Sequence, residues 1–138
     1  MKFRFPIVII DEDFRSENTS GLGIRALAQA IEAEGFEVVG VTSYGDMSQF
    51  AQQQSRASAF ILSIDDEEFS HGEDIDPVVL SLRNFIDEVR RKNADVPIYI
   101  YGETKTSRHL PNDVLRELHG FIHMFEDTPE FVARHIIR

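Results

Sequence analysis

Phe5-Pro6-Ile7-Val8-Ile9-Ile10-Asp11-Glu12-Asp13 settles the architecture of this chain. Apolar side chains follow one another without polar alternation, and then three acids arrive together. A strand with one wet face would alternate apolar and polar residues. A strand covered on both faces reads as a continuous apolar run. The acids mark its carboxyl end.

The same signature recurs downstream. Ala59-Phe60-Ile61-Leu62-Ser63-Ile64 is a second such run, again followed by acids, Asp65 and Asp66. Pro97 to Tyr101 is a third, opened by a proline that the first residue of a strand accepts. Phe36 to Val41 and Gly120 to Phe125 are the remaining β-rich runs. Helical patterns lie between them. Ile24, Leu27, Ala28 and Ile31 recur at helical spacing, with Gly35 as C-cap. Gly45 to Gln54 reads as a short helix with Met47 and Phe50 inward. Asp76-Pro77 is a cap followed by proline at the first helical position, and Val78, Val79, Leu82, Phe85, Ile86 and Val89 mark one face. Pro111 to Leu118 predicts a short helix. Thr128-Pro129 repeats the cap-plus-proline signal before Phe131, Val132, His135 and Ile136.

Five strands alternating with five helices imply parallel βαβ units with right-handed crossovers. The expected fold is α/β, a flavodoxin-like, receiver-like three-layer arrangement with a five-stranded parallel sheet of order 2-1-3-4-5. Residues 1–138 form one domain by length. The last helix reaches Arg138 without a glycine or proline stop, so the sequence reads as a fragment of a longer protein.

Composition narrows the function. Lys plus Arg total 14 against 24 acids, a formal net charge of −10. Nucleic-acid binding needs a basic face, so that partner is not expected. The apolar run Pro6 to Ile10 is far short of a membrane span or a signal-peptide core, so no membrane partner is expected. Cysteine is absent, which removes disulfides, thiolate metal sites and cysteine nucleophiles and is compatible with a cytoplasmic location.

In such a sheet, ligands bind beyond the carboxyl ends of the strands. Asp11, Glu12, Asp13 and Asp65 fall there, with Thr104 after the fourth strand. Converging carboxylates can hold Mg²⁺, and an aspartate beside the metal can take a phosphoryl group. This is the alternative reading: a response-regulator-type receiver. The receiver pattern also needs a lysine after the fifth strand. Met124 stands there, and no lysine follows Lys105. The acceptor position is itself divided between Asp65 and Ile64. Other signals are weaker. Gly21-Leu22-Gly23 with Ala26 mimics a dinucleotide fingerprint but begins ten residues after its strand, and the second strand lacks a terminal acid. Among His71, His109, His119, His123 and His135, the pair His119 and His123 would stand about 13 Å apart at strand rise, too far to chelate one ion. Asp65 to Asp76 holds seven acids and no base, a solvated loop whose charge falls in mild acid.

The stretch Leu115 to Ala133, above all Glu126-Asp127-Thr128-x-x-Phe131, resembles the N-terminal domain of bacterial ornithine/lysine/arginine decarboxylases. Ile7 to Phe14 and Pro97 to Gly102 agree with it, and the similarity is closest to the biodegradative, acid-inducible arginine decarboxylase branch. The resemblance implies a receiver-like "wing" without catalytic residues. It implies a parent enzyme that uses pyridoxal phosphate to remove the carboxylate of a basic amino acid, consuming a proton. It implies as partners the decarboxylase core and other subunits of a homo-oligomer, with rings (decamers in acid-induced members) built with help from the wing. This chain alone is not expected to decarboxylate or to hold the cofactor. Its lysines are Lys2, Lys92 and Lys105, and the family's Ser-x-His-Lys motif is absent.

Overall fold

Ile7–Ile10 forms β1 with all four side chains buried. The computed structural model of the protein describes residues 5–42, 57–64, 77–92, 95–102, 110–123 and 126–136. Around β1 stand β2 (Val38–Val41), β3 (Ala59–Ser63), β4 (Ile98–Gly102) and β5 (Gly120–His123). The sheet is parallel throughout, in the order β2-β1-β3-β4-β5. This is the expected flavodoxin-like order. The helices are α1 (Thr19–Ala33), α2 (Pro77–Lys92), α3 (Asn112–Leu115) and α4, which runs Pro129–Phe131 and continues as wider π-type turns over Val132–Ile136. The short helix expected at Gly45 to Gln54 lies outside the described residues.

Strand alternation splits the core in two. Ile7, Ile9, Ala59, Ile61, Tyr99 and Ile122 face α1 and α4, where Ile24, Leu27, Ala28, Ile31, Val132 and Ala133 meet them. Val8, Ile10, Phe60, Leu62, Ile98 and Ile100 face α2 and α3, against Leu82, Phe85, Ile86, Val89 and Val114. Each fully buried isoleucine contributes roughly 1.5–3 kcal/mol. The unbroken apolar reading of β1 is thus explained: both faces are covered.

The ends follow local chemistry. Asn18 caps α1 by accepting from the Gly21 N–H at 2.8 Å. Gly35 ends α1 at φ 95°, a conformation that glycine adopts without strain, and its N–H donates to the Glu32 carbonyl at 3.0 Å. Several expected boundaries move: β2 begins at Val38 rather than Phe36, β3 ends at Ser63 rather than Ile64, and β4 runs Ile98–Gly102 rather than from Pro97 to Tyr101. β1 begins at Ile7, because Phe5 is 47% exposed and Pro6 lacks a ladder donor. The helix expected to Leu118 is α-helical only to Leu115. Its last turn tightens through Glu117 N–H to Val114 O (3.0 Å) and Leu118 N–H to Leu115 O (3.2 Å). The tightening delivers the His119 N–H to the Ile98 carbonyl at 2.7 Å and so starts β5. Two arginines tie α2 to α3 and the segments around it. Arg83 makes a two-pronged contact with Asp113, at 2.7 and 3.0 Å. Arg90 reaches Glu117 Oε2 and the carbonyls of Val96 and Glu117.

Candidate functional site at the carboxyl ends of the strands

Asp11 follows β1 on the α1 side of the sheet, the parity of Ile7 and Ile9. It is 6% exposed, and it is the only buried charged residue among those described. One carboxylate oxygen accepts the Asp13 N–H at 2.7 Å. The Ser63 hydroxyl, at the end of β3, donates to the same carboxylate. Ser63 pairs in register with Tyr101 of β4, whose ring is buried on this same face. Three polar side chains therefore stand in a row across β1, β3 and β4.

Burial pushes the Asp11 carboxyl above its usual range, and the nearby charges of Asp13 and Glu12 add to this. The hydrogen bonds from Ser63 and Asp13 work against it. Tyr101 is raised as well, first by burial and then by the charge of Asp11. Neither sequence spacing nor motif singled out Ser63 or Tyr101. The signal was parity: both share the alternation of Asp11 once the strands are aligned.

The loop from β1 to α1 is folded upon itself. Phe14 N–H donates to Asp11 O at 3.0 Å, and Ser16 N–H to Asp13 O at 2.8 Å. The Arg25 guanidinium donates to the carbonyls of Phe14 and Ser16, both at 2.7 Å. Gly21 packs so close to this loop that a Cβ would collide with the Ser16 and Asp13 carbonyls. Gly21 thus lets the loop close onto the entry of α1. The side chain of Asp13 accepts from Asn18 Nδ2 at 3.3 Å, while Glu12 is exposed. Of the three acids, Asp11 and Asp13 are engaged in holding the loop.

Ile64 follows β3 and is 1% exposed, packed in the core on the α2 side. Its N–H donates to the Tyr101 carbonyl at 3.0 Å. Asp65, Asp66, Thr104, Met124 and the acidic run to Asp76 lie outside the described residues. Among the described residues no group of three His, Asp or Glu could hold a metal ion. The histidine pair divides between partners. His119 meets Tyr99 edge-on at 5.4 Å, and His123 tilts over Phe121 at 4.9 Å.

The turn after β5 is built from the segment singled out in the sequence. Asp127 accepts the His123 N–H at 2.9 Å and donates its own N–H to the His123 carbonyl at 2.9 Å. Thr128 caps α4 by accepting from the Phe131 N–H at 3.2 Å, with Pro129 at the first helical position. Over residues 19–138 the chain matches the family model for the Orn/Lys/Arg decarboxylase N-terminal domain.

The chain belongs to that family. Lysine decarboxylase LdcA of Pseudomonas aeruginosa is 24% identical over 138 residues, which is 98% of this chain and 18% of that protein. The chain therefore spans about a fifth of the curated relative it matches. The solved structure of lysine decarboxylase A from Pseudomonas aeruginosa superposes with a TM-score of 0.80 at 23% identity, again over 98% and 18% of the two chains. A response regulator receiver domain from Clostridium thermocellum shares the fold at TM-score 0.63 and 11% identity, over 94% of this chain and 88% of its own. An atypical orphan response regulator described as phosphorylation-independent gives the same TM-score and identity, over 95% and 91%. The chain thus has a receiver-like fold within a decarboxylase family.

Proposed function

We propose that this domain is a non-catalytic assembly and regulatory wing of a pyridoxal-phosphate-dependent decarboxylase of basic amino acids in the cytoplasm. The carrying observation is the family match over residues 19–138. The loop chemistry supports it: the receiver-like acids Asp11 and Asp13 are committed to hydrogen bonds that shape the β1–α1 loop. No described residue fits pyridoxal phosphate. The cofactor needs a lysine for its Schiff base, and the described lysine, Lys92, stands exposed in the last turn of α2. The cofactor would belong to the parent enzyme's core, the wing's first partner.

Arginine is the substrate we assign to the parent, from the similarity of the chain as a whole to the acid-inducible arginine decarboxylase branch. The relative in Pseudomonas aeruginosa is a lysine decarboxylase, so lysine is the competing substrate. Assays of the whole protein with arginine, lysine and ornithine discriminate directly: turnover of lysine without arginine reverses the assignment.

The assembly role has its own test. The net charge of −10 opposes association at neutral pH, and carboxylate protonation relieves it. Sedimentation of the whole protein, with and without residues 1–138, is expected to show larger assemblies at pH 5 than at pH 8 only when the wing is present. Equal assembly by both forms discards the role.

A further inference from the structure

We propose that Asp11 is a proton-operated latch on the β1–α1 loop: protonated, it keeps residues 11–18 folded against the sheet, and ionised, it lets them lift. The device depends on neither the parent's substrate nor its assembly. The loop hangs on this residue at three points. Its N–H donates to the Val41 carbonyl of β2 at 2.9 Å, and its carbonyl accepts the Phe14 N–H at 3.0 Å. Its buried carboxylate accepts the Asp13 N–H at 2.7 Å and the Ser63 hydroxyl of β3. The rest of the loop follows from there. Ser16 N–H donates to the Asp13 carbonyl, Arg25 gathers the carbonyls of Phe14 and Ser16, and the Phe14 ring covers Gly40. Drawing the carboxylate out to water therefore frees Asp13 and loosens the Phe14 ring.

The surroundings of this carboxyl favour its neutral form. Glu12 and Asp13 of the same loop add negative charge. From β4 comes the hydroxyl of Tyr101, which lies close to Gly23 of α1, and from β2 the Val41 carbonyl. Arg25 of α1 is turned to the loop carbonyls and stands 3.9 Å from Glu17. Among the described residues no cation pairs with Asp11. Asp65 and Asp66, next in sequence after Ile64, lie outside those residues. The two donors favour the charged form, but burial outweighs them. The closed loop thus binds the proton more tightly than an open loop, in which Asp11 meets water. Its closure is favoured in acid, and that preference is lost as pH rises from 3.8 through the raised closed-loop value. A neutral carboxyl still accepts the Asp13 N–H and can give its proton to Ser63 Oγ, so protonation costs no contact.

Local opening is read by hydrogen exchange with mass spectrometry on the full chain, at pH 4 and pH 7 in EDTA. The amides of Phe14 and Ser16 report on the loop, and those of β1 and β3 serve as the core reference, all corrected for intrinsic exchange. Loop protection relative to the core is expected to be roughly threefold or more higher at pH 4. Asp11→Asn stays neutral and keeps an acceptor for the Asp13 N–H, so its ratio is expected to hold constant. Ser63→Ala removes a donor from the charged form and is expected to enlarge the change, while Glu12→Gln keeps most of it. No change in the native chain, an equal change in Asp11→Asn, a smaller one in Ser63→Ala or its disappearance in Glu12→Gln overturns the latch. Added Mg²⁺ is expected to leave the ratio unaltered. A rise in loop protection that requires Mg²⁺ gives the carboxylate to a metal ion instead and overturns the proposal as well.

Discussion

The ring of Phe14 occupies the space where a Cβ on Gly40 would stand. Phe14 belongs to the β1–α1 loop and Gly40 to β2, so this contact lays the loop over the edge of the sheet. Gly40 is needed here for close approach and not for an unusual backbone angle. Gly40→Ala is expected to lower stability by about 1–3 kcal/mol, because the ring must move from a filled site. In the background Phe14→Ala the same substitution should cost much less, since the colliding ring is gone. Urea unfolding of the four proteins gives the coupling directly. Additive costs would show that the loop yields without resistance.

Asp11 predicts a pH dependence of defined sign. Its carboxyl is raised by burial, so the folded chain binds its proton more tightly than the unfolded chain, whose value is near 3.8. Through this group the folded state loses stability as pH rises from 3.8 through the raised folded value, and it regains that stability on acidification. Asp11→Asn keeps an acceptor for the Asp13 N–H and does not titrate. The stability difference, variant minus wild type, should therefore grow between pH 4 and pH 7. Thermal melts across that range check it, and a difference that shrinks toward neutrality would contradict the burial argument.

The β5–α4 turn should be sensitive to two small changes. Thr128→Ala removes the cap oxygen and is expected to cost about 1 kcal/mol. Asp127→Ala leaves the His123 N–H without its carboxylate partner and is expected to cost about 1–3 kcal/mol. Neither residue contacts a substrate in our reading, so decarboxylation per folded enzyme should hold at native levels. Denaturant midpoints together with specific activity separate these statements, and a large fall in activity at unchanged stability would give the turn a different role.

The receiver alternative yields a direct chemical expectation. Incubation with a small-molecule phosphodonor and Mg²⁺ is expected to leave the chain unlabelled, because Asp11 and Asp13 are engaged within their own loop and Met124 stands where a receiver has lysine. Stable labelling at an aspartate, abolished by Asp65→Asn, would install the signalling reading instead.

Much of this was readable before folding. Continuous apolar runs in β1, β3 and β4 announced a sheet covered on both faces, and the Thr128 cap and Gly35 marked helix ends by local chemistry. Runs and spacings depend on neighbours in sequence, so sequence displays them, whereas the Asn18 cap on α1 emerged only with the fold. The candidate site was legible only in part. Asp11 stood out by its position at a strand end, but Ser63 and Tyr101 looked like ordinary strand residues.

From residue order alone came the alternating layers, the acid balance, the missing lysine and the turn segment from Glu126 to Phe131. Packing alone settled that Asp11 turns inward to Ser63 while Ile64 turns to the opposite core, that Phe14 covers Gly40, and that Phe131 is left half bare beside His135. The reason is the period of a strand. Side chains one residue apart point to opposite faces, and which face meets which helix is fixed only when register and long-range contacts close together.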